Sequence, residues 1–262
     1  MSRFHSANVV HKAEAPRKPG YRERHRAARR REFLDIARRI ITTESQDALT
    51  MQRLSDETGS SAGGPYVYFP TKDALIAALQ LEAFDIVLRS YRLGRTQLDQ
   101  FLGDPGVTGP DAALTAVLAN CAFWVDSEET LPIDIELTRR LIGGHTTVEI
   151  DPNAGVLPIA LEVVDEGRQR LDAAVEASVL DAGNNVERAI MLVASTTGVL
   201  LVSKLGDWDN ALFDGRRMAN ELSADILVGW GADRDRLTTS QALLDSFRAT
   251  NQIAPPVGPP ED

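Results

Sequence analysis

Apolar residues first fall into step at Phe33, Ala37, Ile40 and Ile41, with Leu34 beside them. That spacing, about 100° per residue, predicts an amphipathic helix that stops at the polar stretch TTESQD. Thr50 then stands where a hydroxyl caps a second, short helix, MQRLSDET, whose Met51 and Leu54 lie three apart and whose end is marked by Gly59. Ser61 is placed to cap a third helix, but its first turn reads Ala62, Gly63, Gly64, Pro65. Each glycine costs ~1 kcal/mol against alanine in a helix interior, and the proline removes an amide donor. Such a helix does not persist alone, so Tyr66, Tyr68 and Phe69 are expected to hold it by wedging against the apolar face of the first. Pro70 ends it, Thr71 caps the next, and Asp73 enters that helix's first turn, where a carboxylate is favoured. This fourth helix, KDALIAALQLEAFDIVLRSYRLG, is predicted to run for about twenty residues. Its apolar positions fall on more than one face, which suits a helix leaving a small domain for a larger one.

The remaining chain reads as helix throughout, with no alternating strand pattern, so the fold class is all-α. GDPGVTGP (103–110) is a loop; Asp111 opens a helix through Trp124, and Pro132 starts another, PIDIELTRRLI. GGHTTVEIDPNAGV (143–156) is expected to be the least ordered part of the body. Helical patterning resumes from Leu157 to Leu180. The stretch 189–205 is apolar nearly all round and is therefore expected to be covered on several sides. Residues 214–231 place Met218, Leu222, Ile226 and Leu227 on one face, a last helix centres on Leu237–Phe247, and the tail APPVGPPED is expected to be solvated.

With 262 residues, 43% of them hydrophobic, the chain is long enough for a core and two domains. Its single cysteine excludes an internal disulfide, and with no signal-like opening the expected compartment is the cytoplasm. The longest apolar run, Ala189–Ser203, falls short of the ~20 residues of a membrane span and holds four hydroxyl side chains, so a buried helix is expected and no membrane contact. The net charge of −10 is unevenly spread: residues 1–31 carry +8, residues 32–80 carry −3 and residues 81–262 carry −15. Clustered cations at one end suit a polyanion held there; a solubilising tail fits the same charges. His145 lies alone on a loop with no partner at metal-ligand spacing, GDPGVTG follows a helix and lacks the Lys-Ser/Thr of a phosphate loop, and no His-Glu-x-x-His, Gly-x-Ser-x-Gly or paired-cysteine motif occurs. Neither an enzyme nor a metal or cofactor is expected.

Three short helices, the last bearing Tyr-x-Tyr-Phe-Pro-Thr-Lys-Asp-Ala-Leu, followed by a long connecting helix, resemble the tetracycline-repressor (TetR) family of bacterial regulators. Over residues 30–80 Thr50, Leu54, Gly59, Ser61, Gly63, Tyr66, Tyr68, Phe69, Pro70, Lys72, Ala74 and Leu75 fall in register with the family's helix-turn-helix; beyond residue 80 the likeness is one of kind. The resemblance implies a partner in double-stranded DNA. Thr50, Arg53, Tyr66 and Lys72 would meet phosphates, and Gln52, Ser61 and Val67 base edges or a thymine methyl. Ala62, Gly63, Gly64 and Tyr68 complete the surface, the glycines permitting close backbone approach, and Arg24, Arg26, Arg29, Arg30 and Arg31 would follow the backbone or minor groove. Departures concern Ser60, where the family has an aliphatic residue, and Gly64-Pro65, where Thr-Leu is commoner. From Ser61 to Tyr68 no Arg, Lys, Asn or Gln appears, so base reading is expected to be sparse, with the arginine arm and DNA shape carrying much of the affinity.

The resemblance further implies four regions: a flexible basic arm (1–20), a helix-turn-helix domain (21–80), an effector-binding and dimerisation domain (81–250) and a flexible tail (251–262). Leu88, Tyr91, Leu118, Cys121, Trp124, Leu141, Met191 and Ser195 are the candidates to line a pocket for a small apolar or amphipathic effector, each equally readable as core. A homodimer would form through the apolar faces of 186–205 and 214–230. The function implied is a repressor; the rival is an interaction module whose helix-turn-helix no longer reads DNA.

Overall fold

The computed structural model describes residues 20–142, 156–209 and 211–259, and among these every regular element is helical. The expected arm over 1–19, the loop 143–155 with His145, and the last residues of the tail lie outside the described residues. The chain divides into two compact units, one ending at Tyr68 and one beginning at Phe69.

In the first unit, α1 (Tyr21–Thr43) begins where the Gly20 amide donates to the Glu23 carboxylate at 2.7 Å, and buries Phe33, Leu34, Ala37 and Ile40 along one face. Helix α2 (Met51–Glu57) is capped by Thr50, whose hydroxyl accepts from the Arg53 amide at 3.1 Å; it buries Met51, Leu54 and Ser55 and packs against α1. Gly59, at φ +61°, is the left-handed residue that ends it, a conformation costly for any residue with a Cβ.

The expected third helix is not an α-helix. The chain advances by i→i+3 bonds, Gly64 N–H to Ser61 O at 2.7 Å, Val67 N–H to Gly64 O at 3.3 Å and Tyr68 N–H to Pro65 O at 3.0 Å, with a single 3₁₀ turn over Pro65–Val67. Pro65 has no amide to give, two glycines precede it, and so the tighter, shorter helix prevails. The aromatics divide their roles as well. Tyr68 sets its ring 5.3 Å from that of Phe33 on α1 as expected, whereas Tyr66 is half exposed.

In the second unit, Thr71 caps α3 (Lys72–Leu102) by accepting from the Ala74 amide at 3.0 Å. At 31 residues α3 is longer than predicted because Gly94 does not interrupt it. There follow α4 (Gly109–Thr130), capped by Thr108, α5 (Pro132–Ile142), α6 (Val156–Glu176), α7 (Asn185–Ser203), α8 (Gly215–Gly229), capped by Asp214, and α9 (Arg234–Arg248), capped by Asp233. Helix α4 is the centre: it touches α3 and each of α5 to α9, and its residues are buried without a break from Leu114 to Phe123. Small side chains (Ala116, Ala119, Ala122) let neighbours close in on all sides, and the Thr115 hydroxyl bonds back to Asp111 O at 2.7 Å.

Two expectations are corrected here. The helix covered all round is α4, not 189–205. On α7 only Ala189, Leu192, Thr196 and Leu200 are buried, while Val186, Ile190, Met191, Leu201 and Val202 are exposed. Moreover α7 is long and apolar enough to cross a bilayer, although it packs here against α4, α6 and α8. The tail is not solvated over its first part either. Ile253 and Ala254 are buried, Ser90 donates to Pro255 O at 2.7 Å, and Arg89 donates to Gly258 O at 2.8 Å, so the segment lies along α3.

Candidate nucleic-acid interface and internal cavity

The first unit offers one surface poor in side chains. Ser61, Ala62 and Gly63 are exposed, as are Tyr66 and Val67, the latter 68% open to solvent. The two glycines differ. Around Gly63 an added Cβ would meet nothing within 4 Å, so bare backbone faces outward there. At Gly64 a Cβ would stand 2.8 Å from the Ser60 Cβ and 3.0 Å from the Ser61 carbonyl oxygen, so that glycine is required by the turn itself. Ser60, which departs from the family pattern, shares a 2.9 Å hydrogen bond with the Thr58 hydroxyl, which donates in turn to Leu54 O at 2.8 Å. A polar tie replaces aliphatic packing at the turn.

Thr50 and Gln52 lie on the exposed side of α2, with the Gln52 amide donating to Asp56 at 2.9 Å. Arg53 is less free. Its Nη1 and Nη2 donate to the two oxygens of Glu44 at 2.6 and 2.5 Å, and its Nε donates to Glu57 at 3.0 Å. Arg39 of α1 also pairs with Glu57. Bonding to Arg53 holds the Glu44 carboxyl below the usual carboxylate range, and the two carboxylates raise the guanidinium's own pKa. Among the basic residues of α1, Arg24, Arg26 and Arg30 are exposed and Arg31 is half-buried. Arg29 serves the unit's interior: it donates to Thr58 O at 3.2 Å, pairs with Glu32 and lies 5.2 Å from the Phe33 ring centre. Lys72 belongs to the second unit, in the first turn of α3.

Within the second unit a cavity of about 130 Å³ opens where five helices converge. Phe84 and Val87 come from α3, Trp124 and Glu128 from α4, Ile135, Thr138 and Arg139 from α5, Val163 and Val164 from α6, and Val193, Thr197 and Leu200 from α7. Arg139 pairs with Glu128 and, at 3.0 Å, with Glu136. Trp124 Nε1 and Arg139 Nε are buried N–H groups with no hydrogen-bond acceptor. Of the seven predicted pocket residues whose side chains are described, Trp124 alone lines this cavity. Leu88, Leu118 and Cys121 are core, the Cys121 thiol pushed up to about 11 by burial. Tyr91 borders a much smaller space, about 20 Å³, beside Asn120, Arg170 and Ile253. Met191 is 53% exposed and Ser195 bonds back to Met191 O at 2.6 Å on the open side of α7, while the Leu141 side chain lies outside the described residues. The structure does not bring the seven described side chains together. The residues missed do share a signal: Phe84/Val87, Trp124/Glu128, Ile135/Thr138/Arg139 and Val193/Thr197/Leu200 are each spaced three or four apart, one face per helix.

Residues 33–79 match the family model of the bacterial regulatory proteins, tetR family. Over those residues the chain is a TetR-type helix-turn-helix. The chain is 44% identical over 64 residues to the HTH-type transcriptional repressor Rv1474c of Mycobacterium tuberculosis, a match that spans 24% of this chain and about a third (34%) of that relative's length. Among solved structures, a protein of unknown function from Rhodococcus sp. RHA1 superposes with a TM-score of 0.55 at 18% identity, over 83% of this chain and all of that one. A gamma-butyrolactone receptor (ArpA-like protein) gives 0.49 at 16% identity, over 87% of this chain and all of that one. The TetR-type domain thus rests on sequence, and the Rhodococcus protein adds that the all-helical fold continues through the second unit.

Proposed function

We propose that the protein is a cytoplasmic, homodimeric TetR-family repressor that holds a pseudo-palindromic operator in double-stranded DNA and lets it go when a small effector enters the cavity among α3 to α7. The observation that carries the DNA-binding half is the outward-facing, side-chain-poor segment Ser61–Gly63, set after the capped α2 and followed by exposed Tyr66 and Val67. Small residues and open backbone suit close approach to phosphates and base edges, with Thr50, Gln52 and Arg53 beside them in sequence and Arg24, Arg26, Arg30 and Arg31 along α1. Dimerisation is supported by the row of exposed apolar residues on α7, which a second copy would cover.

The cavity's chemistry favours an effector that is largely apolar, uncharged and equipped with a hydrogen-bond acceptor. Valine, phenylalanine and leucine side chains make most of the wall. Arg139 is already committed to two carboxylates, so a charged ligand would have to break an ion pair in apolar surroundings. Two wall side chains meanwhile bury N–H groups that lack an acceptor. Filling the cavity presses on Phe84 and Val87 of α3, the helix that follows the DNA-binding segment in sequence, and so alters the spacing of two half-site readers.

Selection of duplexes from a random pool, followed by gel shift, tests the first half: a saturable, salt-sensitive, palindrome-dependent shift is expected. Binding no tighter than to random DNA would instead favour an interaction module, a reading that the base-contact-poor turn and the neutralised Arg53 make specific. Native mass spectrometry of the purified protein, read for a co-purifying neutral ligand and for dimer mass, tests the second half.

A further inference from the structure

The DNA-binding half of the proposed function needs the Arg53 guanidinium for a phosphate, yet in the first unit all three of its nitrogens are engaged by carboxylates. An arginine fork fits carboxylate and phosphate by the same bidentate geometry, so the two compete for one seat. Arg39, Arg53, Glu44 and Glu57 together carry no net charge, which leaves this face without the surplus cation that counterion release requires. We propose that Glu44 is an internal counter-anion that occupies the phosphate seat of Arg53, weakening the chain's grip on the DNA backbone until the duplex displaces it.

The two carboxylates are not equivalent. Glu57 has a second cation in Arg39 and its side chain is only 23% exposed, so it stays in place and aims Arg53. Glu44 has Arg53 as its partner, its side chain is 45% exposed, and it stands at the end of α1, where its own amide donates to Ile40 O at 3.1 Å. The backbone is therefore fixed while the carboxylate is free to swing out. Exposed pairs of this kind are weak enough for a polyanion to exchange them. Once displaced, the carboxylate remains near the incoming phosphate and repels it, a penalty that neutralisation removes.

The test measures affinity by fluorescence anisotropy, between about 50 and 200 mM salt, for Glu44→Gln, Arg53→Ala and the double variant. Two probes are used: a duplex selected from a random pool by the wild-type protein, and a random-sequence duplex of equal length. Glu44→Gln is expected to bind both on the order of three- to twenty-fold tighter at low salt, with a log–log salt slope steeper by about 0.9. The gain should vanish in the double variant, which should bind like Arg53→Ala. Equal or weaker binding by a Glu44→Gln protein with unchanged helix content and melting temperature overturns the proposal, and assigns Glu44 to tying α1 to α2. A gain that persists without Arg53 also overturns it, since general charge would then be the cause. Specific operator recognition is read separately from the two probes. If the wild type does not prefer the selected duplex, the regulator reading fails while the Glu44 effect is still scored on random DNA; if neither the wild type nor Glu44→Gln binds either probe, both ideas fall.

Discussion

Replacing Gly94 by alanine exposes how the C-terminal segment is held. A Cβ at that position would stand 2.0 Å from the Ile253 carbonyl oxygen, 3.0 Å from the Ile253 carbonyl carbon and 3.2 Å from Pro255 Cδ. The first two are backbone atoms, which cannot rotate away as a flexible side chain can, so the strand of tail must lift from α3. Lifting exposes Ile253, now 5% accessible, and strips the buried Ser90 hydroxyl of its 2.7 Å bond to Pro255 O. Burial of such a side chain contributes about 1.5–3 kcal/mol and the hydrogen bond about 1. Alanine returns up to ~1 kcal/mol of helix propensity. The net loss is about 1.5–3 kcal/mol, or roughly 3–12 °C in melting temperature for a unit of this size. The sign reverses once the tail is gone: in a chain cut after Asn251 the substitution meets no obstacle and stabilises by up to ~1 kcal/mol. Thermal melts of the four combinations, with carboxypeptidase digestion to report whether the tail is docked, decide the matter. A full-length Gly94→Ala protein that melts like the wild type and keeps its tail protected would refute the reasoning.

The same approach yields opposite outcomes for two neighbouring glycines. Gly64→Ala forces a Cβ against Ser60 and the Ser61 carbonyl and should cost about 1–3 kcal/mol, whereas Gly63→Ala should leave stability within about 0.5 kcal/mol yet weaken binding to the selected duplex, as melts and anisotropy on the pair would show. Val193→Trp should fill the cavity beside Trp124, abolish binding of the neutral apolar dye Nile red and, by standing in for the effector, weaken binding to the selected duplex in the absence of dye; undiminished Nile red binding would place the site elsewhere. Cys121, buried and with its thiol pushed up to about 11, should resist iodoacetamide in the native protein at pH 8 and react only on unfolding or as the pH approaches 11; rapid native alkylation, read by mass, would contradict the core placement.

How far the sequence revealed this molecule depends on how local each cause is. Thr50, Gly59 and Thr71 act within four residues of themselves, and each does what its residue type predicts: two caps and a left-handed stop. The glycine-proline run was legible as a weak helix, and the structure resolves that weakness into i→i+3 turns through the missing amide of Pro65. Covering is a different kind of property. Apolar content made 189–205 look like the buried helix, but burial follows from how many neighbours reach a helix, and the alanines of α4 admit them where the branched residues of α7 do not. The cavity suffers the same blindness: Trp124/Glu128 and Ile135/Thr138/Arg139 are visible as faces, but nothing in a linear pattern tells which five faces turn toward one another. The eight residues first suggested were chosen for type rather than for face, and most of them proved to fill the core around α4 or to look outward from α7. Charge misleads in a third way. Arg53 reads as an available cation until Glu44, nine residues earlier, is seen to fill its fork, so that the attraction of this surface for a polyanion is set by a pairing that net charge along the chain does not reveal.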